Sequence, residues 1–200
     1  RRVSDVAEAR LEDAGAGLAP TGDGWFVVNV RDTEWMASEN FGSGCVFESR
    51  EAWFPQFGIN VSVLEPGKPN CLYHSENLQE AFLVLSGECK LLVEGEEREL
   101  KAWDFFHCPA GVEHVFVGAG DGPCVVLMVG ARSKDEKLFY PVSELAARYD
   151  ASAEADTPDP FGPRNCGQSA RAGVAITSVI KSAFITCPPS WRPACGGPGR

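Results

Sequence analysis

Histidine is scarce in this sequence. Its 200 residues contain three, and only two methionines. Long apolar runs are missing too: no stretch of about 18 apolar residues occurs, so no membrane-spanning helix is expected. No C-x-x-C pair occurs among the eight cysteines, so a zinc knuckle is not supported. A basic excess is also lacking. Lys and Arg number 18 against 28 Asp and Glu, for a formal net charge of −10. Binding to a phosphate backbone needs clustered cations, so nucleic acid is not an expected partner. The opening RRVSDVAEARLED has no apolar run behind its arginines. No secretory signal is read there, and the expected location is the cytoplasm, without a membrane partner.

One absence is local. All 28 acidic groups and 13 of the 18 basic ones fall within residues 1–159, so acidic residues stop at Asp159. The segment beyond Asp159 is rich in Pro and Gly and ends in CPPSWRPACGGPGR. Residues 151–200 are read as a C-terminal tail, disordered or non-native. A shifted reading frame would produce such a break, and a start at Val3 would make the leading Arg-Arg equally foreign. The alternative is a genuine tail with its own partner.

The body of the chain is a series of short apolar runs separated by Gly, Pro, Asn or Asp. WFVVNV, FGINVSVLE, EAFLVLSG, ECKLLVEG, DFFHCP, EHVFVGAG and PCVVLMVGA read as strands of a sandwich or barrel. LLVEGEEREL reads as a hairpin turning at Gly95. FLVL and VVLMV are apolar on both parities, as in strands covered on both faces. PVSELAARY reads as a short helix. The body is one all-β domain over 25–150. It is preceded by an arm over 1–24, in which a short helix near 4–12 is one option. The strand WFVVNV at 25–30, behind a loose arm, is an edge to be covered, and a homodimer is the expected solution. The five body cysteines sit in apolar runs and are read as reduced thiols.

His74 and Glu76, two apart, share one face of a strand. Glu80 shares its parity with Phe82 and Val84. Pro109 and Gly111 mark a turn, after which His114 and Phe116 share a face. Two imidazoles and one or two carboxylates converging inside a barrel make an N/O site for Fe, Mn, Zn, Ni or Co. His107 falls outside this pattern and is read as an outer-face residue. Phe82, Phe106 and Phe116 are core candidates that also stand near the pocket mouth.

These residues carry a resemblance to the cupin superfamily of jelly-roll barrels. Its first motif is G-x5-H-x-H-x3,4-E-x6-G. Gly67, His74, Glu76, Glu80 and Gly87 match it here, with one extra residue after the glycine and Glu76 in place of the second histidine. The second motif is G-x5-P-x-G-x2-H-x3-N. Here Trp103 stands for the first glycine, followed by Pro109, Gly111 and His114, and Gly118 stands for the asparagine. The fifteen-residue spacer is that of single-domain microbial cupins.

The resemblance, which extends to mannose-6-phosphate isomerase-like cupins, implies a jelly-roll barrel with a short C-terminal helix. It also implies a divalent metal on His74, Glu76, Glu80 and His114, and a small molecule held in the barrel. A dioxygenase, or a sugar or keto-acid isomerase, is the implied enzyme, and Glu76 is the first candidate base should it not bind metal. A phosphate clamp is not visible, since only Lys68 lies close. The competing class is a non-catalytic ligand-binding or metabolite-sensing cupin. Convergent polar groups in the pocket beyond the metal ligands would favour an enzyme.

Overall fold

The computed structural model describes residues 5–160 and the backbone of 170–171. Expectations for the rest of the tail, including Cys166, Cys187 and Cys195, lie outside the described residues. Five strands precede the first motif: β1 (Arg10–Asp13), β2 (Leu18–Thr21), β3 (Glu34–Ala37), β4 (Ser43–Val46) and β5 (Phe57–Leu64). The motifs themselves span β6 (Ser75–Glu76), β7 (Glu80–Ser86), β8 (Glu88–Val93), β9 (Glu96–Lys101), β10 (Phe105–Cys108) and β11 (His114–Ala119). Then come β12 (Cys124–Ala131), β13 (Leu138–Phe139), helix α1 (Glu144–Ala147) and β14 (Ala170–Arg171).

One sheet runs β10-β7-β12-β5-β4-β3-β14, and a second runs β11-β8-β9. Alternation decides what lies between them. Leu64, Phe82, Val84 and Val126 of the large sheet pack against Cys89, Leu91 and Phe116 of the small one. The opposite parity is covered as well. Val125, Val61 and Val63 pack with Trp35 and Cys45 on the outer face of the large sheet. Leu92, Val115 and Val117 pack with Tyr73 and Ala146 outside the small one. This double covering is why VVLMV is apolar throughout. α1 supplies part of the outer cover. Its start is capped by Ser143, whose hydroxyl accepts from the Ala146 N–H at 3.2 Å.

The hairpin turns as read, with Glu94 and Gly95 at φ 50° and 76°. Two departures from the cupin motif acquire local reasons. Trp103 sits at φ 77°, in the left-handed region where the motif has glycine. Gly118 is the reverse case. A Cβ there would run into the Glu65 carbonyl and lie 2.7 Å from that of Leu64. The backbone cannot retreat, because the Gly118 N–H donates to Lys68 O at 2.9 Å and its carbonyl accepts from Gly67 N at 2.8 Å. Gly118→Ala is therefore expected to cost about 2–3 kcal/mol, by overpacking against fixed backbone. Urea unfolding with and without chelator checks this. A cost below about 0.5 kcal/mol, the level of neutral surface changes, would contradict it.

Two expectations near the N-terminus are corrected. Residues 10–13 do not form a helix. They pair with 18–21 as an antiparallel hairpin. WFVVNV is not a ladder strand either. Side chains hold it: Phe26 stacks on Phe54 at 6.3 Å, and the Val30 carbonyl accepts from Trp35 Nε1 and Thr33 Oγ1, both at 2.9 Å. Asn29 then turns the chain, its Oδ1 accepting from Arg31 N. The apolar alternation was real, with Trp25 and Val27 exposed and Phe26 and Val30 turned inward, but backbone pairing is confined to a single bridge between Trp25 and Glu8, and tertiary contacts hold the rest.

Candidate metal centre

His74 and His114 are forty residues apart and directly opposite each other. His114 N donates to His74 O at 2.8 Å, and His74 N donates to His114 O at 3.1 Å. Residues that exchange both bonds across an antiparallel bridge present their side chains on one face. Their ring centroids accordingly lie 4.9 Å apart. Both rings are buried. Each Nδ1 is tied to a backbone carbonyl, Leu72 O at 2.8 Å for His74 and Val112 O at 3.1 Å for His114. A carbonyl only accepts, so each Nδ1 carries the hydrogen and, in the neutral ring, each Nε2 is left with its lone pair. Cys71 and Cys108 stand beside these nitrogens, each sulfur 3.5 Å from its Nδ1.

Glu80 begins β7, opposite Cys108 of β10 and Gly130 of β12. Its Oε2 lies 3.4 Å from His114 Nε2. That oxygen is buried and has no hydrogen-bond partner. Ligand atoms of His74, Glu80 and His114 all fall within 4.8 Å of one another. Two tautomer-locked imidazoles and an orphaned carboxylate oxygen are a donor set that a divalent ion could satisfy. Glu76 stands at the side of this trio, its Oε1 3.7 Å from His74 Nε2.

The charges are strained without a cation. Burial, followed by the Glu76 carboxylate and more weakly Glu136, pushes Glu80 up to about 7, against the pull of His74. Burial opposes a charge on His74, but Cys71, Glu76 and the Leu72 carbonyl outweigh it and its pKa is raised. His114 moves the other way, lowered by burial and then by the charge of His74. Cys45, pushed up to about 11 by burial, is an inert thiol, and all five body cysteines are free.

An open cavity of about 280 Å³ lies over the trio. Phe82 lines it. Phe106 and Phe116 pack behind, in an aromatic cluster with Phe82 at centroid distances of 5.7 and 4.8 Å. His107 is exposed on β10. Sequence reasoning missed Asn60, Arg132, Glu136 and Tyr140, which also line the cavity. Tyr140 stacks on His74 at 5.4 Å. Its only signal was its place just before PVSELAARY, and Glu136 sits in a charged loop that reads as solvated. Lys68 does not reach in. Its Nζ donates to Glu39 O at 3.0 Å.

Residues 60–130 match the cupin-domain family, so this part of the chain is a cupin domain. No curated protein matches it. Solved structures do. A cupin-superfamily sugar phosphate isomerase of Silicibacter pomeroyi is 24% identical, with 60% of this chain and 88% of that one covered at a TM-score of 0.51. A protein of Acidithiobacillus ferrooxidans, provisionally a sugar phosphate isomerase, is 29% identical. That match covers 42% of this chain and 55% of that one at a TM-score of 0.40, so this chain spans little more than half of its length. The polyketide cyclase RemF of Streptomyces resistomycificus is 18% identical, with 54% and 79% covered at a TM-score of 0.47. The first of these likenesses shows the fold, and none of them carries an activity over. Among the described residues no helix is long and apolar enough to cross a membrane.

Proposed function

We propose that this protein binds one divalent metal ion on His74, Glu80 and His114 and acts on a small polar molecule in the cavity above it. The observation that carries the reading is the buried, unpartnered Glu80 Oε2 facing two imidazoles whose Nδ1 atoms are already committed. Nitrogen and oxygen donors suit Fe, Mn, Zn, Ni or Co. A bound ion would supply Lewis acidity, or positions for substrate and O2, as a sugar or keto-acid isomerase or a dioxygenase requires. Glu76, beside the trio and 15% exposed, is placed to complete the metal shell or to move a proton at a substrate carbon or hydroxyl. Asn60, Glu136 and Tyr140 converge on the same space, and this polar wall favours catalysis over passive storage or sensing. Cytoplasmic residence and a homodimer complete the proposal.

Elemental analysis of purified wild type beside His114→Ala is the test. Wild type is expected to carry close to one metal per chain, and the variant to fall by about tenfold or more. Equal metal content in the two would reject the site. A thermal-shift screen of metabolites on the metal-loaded protein, followed by turnover assays, separates an enzyme from a binder. Stabilisation without turnover would select the ligand-binding reading.

A further inference from the structure

Arg132 brings a guanidinium to the cavity wall, and it is already bound. Glu48 grips it from two sides, Oε1 at 2.6 Å from Nη1 and Oε2 at 2.9 Å from Nη2. Nη1 gives its second hydrogen to Phe54 O at 2.9 Å. The Trp53 ring lies 3.6 Å from the guanidinium carbon. Gly58 packs close as well, since a Cβ there would sit 3.1 Å from Nη2. Glu48 is itself fixed, its Oε1 accepting from Phe54 N at 2.6 Å. The pair is partly buried, at 22% and 11% side-chain exposure, where a bidentate arginine–carboxylate contact holds. Apart from the imidazoles of the metal trio, the remaining formally charged groups among the described residues of the wall are the carboxylates of Glu76, Glu80 and Glu136.

The structure assigns the wall of this cavity around Arg132 to a neutral part of the ligand rich in hydrogen-bond donors, and assigns Glu48 the role of keeping phosphates and carboxylates off Arg132 by occupying it. This rests on the cavity proposed above as the substrate site. Hydroxyl or amine hydrogens would meet Glu76, Glu136 and Asn60. A phosphate there would meet the like charge of Glu76 and Glu136, with the Arg132 charge already paired to Glu48 and three of its five N–H donors committed. Glu48 lies in the loop between β4 and β5 and does not itself line the cavity, so it meets the ligand space through Arg132.

The test uses inorganic phosphate as probe, titrated calorimetrically into full-length protein kept metal-free with chelator. The result is then independent of whether the metal site is real. Wild type is expected to show no saturable phosphate binding below about 10 mM. Glu48→Gln is expected to bind phosphate at least about tenfold more tightly. The double variant Glu48→Gln with Arg132→Gln should lose that gain. Saturable millimolar binding by wild type that Arg132→Gln abolishes would overturn the proposal, as would a folded Glu48→Gln with no gain. The wild-type titration alone decides if Glu48→Gln fails to fold. Metal content, measured separately, reports on the metal reading.

Discussion

Glu80→Gln is expected to lose metal and gain stability at once. The carboxylate supplies the anionic donor of the trio, so its amide should bind metal at least about a hundredfold more weakly. In chelator the same change removes an unfavourable buried charge. The pKa of Glu80 is raised in the fold from 4.5 to about 7. A raised carboxyl contributes stability below its unfolded value, and that contribution is lost as pH rises through the folded value. Above about pH 7, metal-free wild type therefore carries a charge with no partner for Oε2. The shift corresponds to roughly 3 kcal/mol, from which the burial of the new amide subtracts, leaving an expected gain of about 1–2 kcal/mol at pH 8. At pH 4 the gain should vanish, because Glu80 is then neutral in both states. Urea midpoints in chelator at the two pH values, beside metal content after desalting, check both halves. Undiminished metal, or a loss of stability at pH 8, would contradict the assignment.

Metal affinity is expected to rise steeply with pH. Near neutrality the metal-free site holds protons in two places. Glu80 is half-protonated near pH 7, and His74, its pKa raised beside Cys71 and Glu76, remains cationic. Metal must displace both protons, so binding releases them. Each proton displaced contributes about a tenfold rise in affinity per pH unit, so between pH 5 and 7 the gain should reach at least about a hundredfold. Above pH 7 the Glu80 part levels off and the His74 part continues. His114 adds nothing there, because its pKa is lowered and the ring is already neutral. Competition with a chromophoric chelator across this range measures the slope. Calorimetry in buffers of different ionisation enthalpy counts the protons. A flat affinity from about pH 5 to 8 would count against a protonated Glu80–His74 pair in the metal-free site.

Among the four residues proposed for the metal, the structure separates a trio from a neighbour. His74, Glu80 and His114 share one space, and Glu76 stands beside His74. Parity arguments could not make that distinction, because period-2 alternation gives a face and not a distance. Arg132 illustrates the same limit. It looks like a surface residue after a strand, yet the loop from Glu48 to Phe54 folds over it across more than seventy residues of chain.

Strands β5, β7, β8, β10, β11 and β12 were legible in the sequence itself, because each is a short run rich in Val, Ile, Leu or Phe set off by Gly, Pro or Asp. β9 was legible only as the second arm of a hairpin, and the two-residue β6 only through the spacing of His74 and Glu76. The hairpin at Glu94–Gly95 and the capped start at Ser143 were equally local. The histidines and acids of the site were legible as types with a shared parity. The tertiary structure alone decided which faces met. Pairing of His74 with His114, the sealing of Arg132 by Glu48, and the holding of 25–30 by Phe54 and Trp35 are contacts between distant segments. Their free energy appears only once both sheets have closed and excluded water, so no window of sequence contains it.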